Sequence, residues 1–314
     1  MPRNDSNNNN KSNANSNTSG GGGSGAGSNG GTASAVSGPA FSIGTWFGVP
    51  ITIHYSFFLV TLLSVIVSIR HLSWQITLYE FIIMGPILFL TIVIHEFGHI
   101  KMSQRLGGHA VEIILWPLGG LAVSSSPNPA TPQNMLLVAA AGPATHIVQM
   151  FFWIIFAIIF QALGSDDGAA GWGVNYNVIH NGTVGDYFAL IAVGALYLNL
   201  ILFLFNLLIP AYPLDGGQIF ASALLMCGLP ASTAAMITSI AGMIIAALLF
   251  VYALFSLFIT LNPFSILNML VAAWIFQTSY ELYKMYENGT VMNHPLFRTA
   301  GNTAESTERQ DDDV

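Results

Sequence analysis

Thr91-Ile92-Val93-Ile94-His95-Glu96-Phe97-Gly98-His99 sets an H-E-x-x-H signature inside an apolar run. On a helix, residues four apart share a face, so the imidazoles of His95 and His99 lie about one turn from each other. That spacing lets both rings reach a single ion at the ~2.0–2.1 Å of zinc–nitrogen bonds. Glu96 leans to the side, where a carboxylate takes a proton from water without being a ligand. The setting is unusual for such a helix, because the segment from Phe81 to Ile100 is as apolar as a membrane span.

The whole chain has the same character. It is 53% hydrophobic and only 7% charged, against about 25% charged in an ordinary soluble domain. Much of its surface must therefore face a lipid bilayer. The net charge of −7 carries little information on partners, since Glu305, Glu308, Asp311, Asp312 and Asp313 sit in the C-terminal tail. No basic patch argues for nucleic acid. Cys227 is the single cysteine, which excludes an intrachain disulfide and a cysteine-based zinc site and leaves a free, packed thiol.

The hydropathy pattern predicts an all-α polytopic membrane protein of six transmembrane helices, with a short membrane-associated β-hairpin after the metal-binding helix. Residues 1–42 read as a disordered Asn/Ser/Gly-rich tail. Residues 43–286 read as the membrane domain, and 287–314 as a polar, flexible tail. The expected spans run from Ile51 to Ile69, Phe81 to Arg105, Met135 to Leu163, Tyr187 to Ile209, Met236 to Leu257 and Phe264 to Tyr280. Gly142-Pro143 is expected to break the third, or to allow close helix packing there. Val111 to Trp116, turning at Gly119-Gly120, supplies the hairpin, and a short helix follows Asp215 to about Met226. With both termini cytosolic, seven of the eight basic residues (Arg3, Lys11, Lys101, Arg105, Lys284, Arg298, Arg309) lie inside and only Arg70 outside. That orientation opens the metal site to the cytosol and puts the sequon Asn181-Gly182-Thr183 on the far side.

Two histidines leave zinc short of the three protein ligands of a catalytic site. Ionisable residues within the membrane are few, and Asp215, in Pro213-Leu214-Asp215-Gly216-Gly217, is the candidate for the third. Its glycines would let that backbone approach another helix. Capping of a helix that begins at Gly216 is the competing role for the same carboxylate. His54 and His146 are read as packing histidines outside the site.

The pair of motifs, His95-Glu96-Phe97-Gly98-His99 in one span and Asn206 with Pro213-Leu214-Asp215-Gly216-Gly217 after a later one, resembles the site-2 protease family of intramembrane zinc metalloproteases. Gly119-Gly120-Leu121-Ala122 and Ala141-Gly142-Pro143 agree with it, and the likeness covers about residues 43 to 285. The resemblance implies one Zn2+ per chain held by His95, His99 and Asp215, with Glu96 as the base for the attacking water. It marks Asn206, Gly119 and Gly120 as candidates for holding the substrate carbonyl or its oxyanion. Leu207-Leu208-Ile209 separate Asn206 from Pro210, where many relatives have two residues. The form resembled is a minimal six-span one, without a PDZ-like insertion or a regulatory nucleotide-binding domain. Its expected substrates are single-span or signal-anchor membrane proteins. They would unwind locally and pair with the Val111 to Ala122 stretch as an added strand. A polytopic metal transporter or channel using the same His/Asp site is the competing function, and needs a polar path across the bilayer. A catalytically dead relative would lack one of the four residues, and all are present.

Overall fold

The computed structural model describes residues 39–117, 119–125, 127–164, 171–259, 261 and 264–298. The expected N-terminal tail through residue 38, Asp166 and Asp167, the Asn181 side chain and residues 299–314 lie outside the described residues.

Two strands come first, β1 (Ala40–Trp46) and β2 (Val49–His54), then α1 (Phe58–Ser68), α2 (Trp74–Ile82) and α3 (Leu88–Arg105). A second strand pair follows, β3 (Ala110–Trp116) and β4 (Gly119–Ser124). The remainder is helical: α4 (Pro132–Ala162), α5 (Asn177–Asn181), α6 (Val184–Leu208), α7 (Asp215–Met226), α8 (Ala231–Ile259) and α9 (Phe264–Glu287).

Four stretches among the described residues are long and apolar enough to cross a membrane: Trp74–Arg105, α4, α6 and α8. The first is α2 and α3 joined through a π-helical turn at Ile83–Ile87 that contains Pro86. Side chains such as Phe151, Ile155, Ile201, Leu248 and Phe255 are exposed along these helices, the surface a lipid-facing bundle presents. The chain is an integral membrane protein.

The described residues are mostly helical, as expected, but their strands amount to more than the one hairpin expected. The stretch assigned to the first span is half strand: β2 takes Val49–His54, and α1 has only 11 residues, about 17 Å of helix against a ~30 Å hydrocarbon core. The alternation explains the strand, since Val49, Ile51 and Ile53 are buried while Pro50 is exposed and Thr52 half-buried. β2 pairs antiparallel with β1 and parallel with β3, and β3 pairs antiparallel with β4, giving the order β1-β2-β3-β4. The expected hairpin is therefore half of a four-stranded sheet. One face of that sheet (Val49, Ile51, Ile53, Ile113, Leu115) packs on Val93 and Ile100 of α3. Val93 and Ile100 are seven apart, two turns on one helix face. This core fixes the sheet beside the metal-signature helix, with β4 pairing on one edge only among the described residues.

Other expectations shift in detail. Pro143 does not break the third span, and α4 runs unbroken for 31 residues. The last expected span coincides with α9, which is long enough but carries Asn268, Gln277, Glu281 and Lys284. The C-terminal tail expected from 287 stays packed to Phe297, because Val291, Leu296 and Phe297 bury against Ala221, Leu225 and Ala235. Cys227 is exposed at the end of α7, not packed. His54 caps the turn Tyr55–Phe57, its ring accepting from the Ser56 backbone N–H.

Candidate metal centre

His95, Glu96 and His99 stand on the buried face of α3, at 6%, 6% and 9% exposure. Asp215 is the first residue of α7 and equally buried. Its Oδ2 lies 3.0 Å from His95 Nε2 and 3.3 Å from His99 Nε2, and the two Nε2 atoms are 3.1 Å apart. The third residue of this triangle comes from far along the chain, so only the fold assembles it.

The chemistry of these atoms decides what belongs between them. His99 Nδ1 donates to the Val138 carbonyl, 2.8 Å away. A carbonyl only accepts, so the proton sits on Nδ1 and a neutral ring leaves Nε2 bare. Asp215 Oδ2 is buried with no hydrogen-bond donor among the described residues. Its contacts with the two histidines are ion pairs only if an imidazole is protonated at Nε2. Lone pairs converging in a buried place repel unless a cation lies among them. Ligands around a tetrahedral zinc with ~2.05 Å bonds stand about 3.3 Å apart, close to the triangle observed. The residues fit a zinc ion.

Close helix contact depends on glycine at two points. A Cβ on Gly98 would come 2.6 Å from the Ala141 carbonyl oxygen, so α3 and α4 cross backbone against backbone here. A Cβ on Gly142 would lie 2.8 Å from His95 Nε2 and nearer still to His99 Nε2. Gly142→Ala is therefore expected to crowd the ligand atoms, at a cost of about 1–3 kcal/mol. A zinc titration of the purified variant should show the weaker binding; unchanged affinity would mean that α4 gives way.

Glu96 is not part of the triangle, and its carboxylate lies against β4. Gly120 lies over its carboxylate, so that a Cβ there would meet Glu96 Cδ at 2.7 Å, and the Ala122 backbone N–H faces the same group. Gly119 starts the strand at a φ of 141°, with open space beside it. Asn206 is half-buried in the last turn of α6.

The capping alternative for Asp215 does not match the geometry: the helix starts at Asp215 itself, and its cap residue Leu214 makes no side-chain cap bond. The two glycines after it also act differently from expectation. A Cβ on Gly216 would strike the Leu207 and Ile209 carbonyl oxygens, and one on Gly217 the Ala211–Tyr212 backbone. They let α7 fold tightly against its own approach loop, which turns Asp215 inward.

Sequence reasoning placed His146 outside the site and passed over Asn199. His146 Nε2 is 3.0 Å from His95 Nδ1, and Asn199 Oδ1 is 2.9 Å from His146 Nδ1. Both carried a signal. His146 is one turn beyond Gly142 on the same helix face, and Asn199 is a fully buried amide in an apolar span.

Comparison with known proteins agrees with this centre. A zinc metalloprotease of Methanocaldococcus jannaschii is 28% identical over 179 residues, covering 56% of this chain and 43% of that protein. A putative zinc metalloprotease of Synechocystis sp. is 30% identical over 192 residues, covering 57% and 43%. The chain is a relative of zinc metalloproteases. It spans less than half the length of the curated relatives it matches. Among solved structures, the site-2 protease from Methanocaldococcus jannaschii aligns with a TM-score of 0.46 and 22% identity, covering 78% of this chain and 95% of that one. No protein-family model matches. The zinc metalloprotease reading drawn from the motifs agrees with the names of these curated relatives.

Proposed function

We propose that this chain is an intramembrane zinc metalloendopeptidase that hydrolyses peptide bonds within membrane-spanning segments of its substrates. The observation that carries the reading is the buried triangle of His95, His99 and Asp215 with Glu96 beside it, on a helix inside a membrane-capable stretch. His95 Nε2, His99 Nε2 and Asp215 Oδ2 would hold one zinc ion. When bound there, zinc supplies a Lewis acid that brings the pKa of a water to about 7.

Glu96 then takes the proton of the attacking water and returns it to the leaving amine. A substrate helix has its carbonyls paired and must unwind to react. The single-sided pairing of β4, directly over Glu96, offers backbone groups to such an unwound stretch as an added strand. Gly120 keeps that approach free of side-chain bulk. Asn206 and Gly119 would hold the substrate carbonyl or its oxyanion, as the family resemblance implies. Substrates are then single-span or signal-anchor membrane proteins. The curated relatives are named zinc metalloproteases, which favours the protease reading over a metal transporter.

Counting α1 with its flanking turns (Tyr55–His71) and α9, the chain would cross six times, with both termini and the metal centre on the cytosolic side. The membrane domain, expected at residues 43–286, would reach from β1 at Ala40 to the packed segment that ends at Phe297, between two tails. Tags on either terminus are expected to be digested by protease added to the cytosolic face of intact vesicles, and protection of both would reverse the orientation. The function itself is tested on purified protein in detergent with a single-span substrate. Cleavage should occur within the membrane segment, stop with a zinc chelator and return with zinc. Cleavage that persists at full rate without metal would exclude this reading.

A further inference from the structure

The two metal-facing imidazoles differ in what stands behind them. His99 is held by a backbone carbonyl. Behind His95 runs a chain of side chains across three helices, from α3 through His146 on α4 to Asn199 on α6, all buried.

The direction of each hydrogen bond follows from the far end of this chain. One amide atom of Asn199 lies 2.9 Å from the Ala195 carbonyl oxygen, and 3.4 Å from Thr91 Oγ1. A carbonyl cannot donate, so that atom is the NH2 group and the amide oxygen is turned to His146. An amide oxygen cannot donate either, so His146 carries its proton on Nδ1. Its Nε2 is then bare in the neutral ring and accepts from His95 Nδ1–H. The consequence reaches the metal centre: His95 Nε2 is left as a lone pair, aimed at Asp215 and His99.

We infer that His146 and Asn199 are positioning residues for the metal centre, a relay that fixes the tautomer and ring plane of His95. The inference rests on the reading of His95, His99 and Asp215 as zinc ligands. An apolar side chain could fill the space of His146 equally well, but it would leave His95 Nδ1 with no acceptor. The imidazole could then place its proton on Nε2, among the ligand atoms, where it blocks a cation. Partners of this kind behind a ligating histidine raise its basicity and hold its orientation. The Ala195 carbonyl anchors the relay to the backbone of α6, so the setting does not depend on the metal being present.

The test compares two fillers of similar size on the full chain in detergent. His146→Met keeps the volume and removes the acceptor; His146→Gln offers an amide oxygen to His95 and an N–H to Asn199. Zinc dissociation constants come from competition with a chromophoric chelator, and ligand geometry from the visible spectrum of the Co2+-loaded protein. His146→Met is expected to bind zinc about 10–100-fold more weakly with an altered cobalt spectrum, and His146→Gln to recover most of both. Asn199→Leu, which cuts the relay one step further back, should weaken zinc in the same direction and carries the test if the methionine variant does not fold. Wild-type affinity in a folded His146→Met or Asn199→Leu protein, or a glutamine variant no better than methionine, overturns the relay while the zinc reading stands. A wild-type chain that binds no zinc overturns both.

Discussion

Glu96→Gln is expected to cut a single-span substrate about 10²–10⁴-fold more slowly, the usual contribution of a positioned base, while retaining one zinc per chain. The separation of the two readouts follows from position. Glu96 contributes no atom to the triangle of His95, His99 and Asp215. Its carboxylate faces Gly120 and the Ala122 backbone instead. The amide keeps the shape and the contact with β4 but cannot take a proton from water. Metal analysis beside a cleavage assay reads both quantities. Turnover at the wild-type rate would remove Glu96 from the chemistry, and loss of zinc would give it a different role.

Asp215→Ala should lose zinc by more than the about 10–100-fold that removal of an outer partner costs, and lose cleavage with it. Asp215→Asn is the more discriminating change. Asparagine serves as well as aspartate at a helix N-terminus, so a purely local role predicts normal protein. The geometry predicts otherwise, because the amide gives up the charge that offsets a cation in a buried site at 3.0 and 3.3 Å from the two imidazoles. Asp215→Asn protein with normal zinc content and normal cleavage would contradict the assignment of Asp215 as a ligand.

These residues were legible in the sequence for a physical reason. The H-E-x-x-H spacing is a local property of any helix, and Asp215 stands out in a chain so poor in charge near its spans. The sheet was not legible, because its strands hide in neighbouring patterns. Ile51-Thr52-Ile53-His54 alternates at a period of two yet adds to the hydropathy of the helix after it, so the two merged into one span. β1 begins at Ala40, within the stretch whose Gly and Ser content reads as tail. Hydropathy alone starts the metal helix at Phe81, whereas it continues back through the π-helical turn to Trp74. That puts His95 about 30 Å along the helix rather than about 21 Å, toward the far face of the membrane.

The relay behind His95 escaped for another reason. Asn206 drew attention through its place in a motif, whereas Asn199, two turns earlier, is the amide that reaches His146. Nothing in sequence spacing sets α6 against α4 in the register that joins them. In the same way, Leu296 and Phe297 are too few to mark a packed segment in a polar stretch, and only the groove beside α7 and α8 gives them a place.

The central claim is that His95, His99 and Asp215 together hold zinc. X-ray absorption at the zinc edge of the purified chain tests it most directly. The account predicts two imidazole nitrogens at ~2.0–2.1 Å and carboxylate or water oxygens at ~2.0–2.2 Å, and a signal from one zinc per chain. A shell of three imidazoles, a sulfur ligand, or a chain that retains no zinc would contradict it.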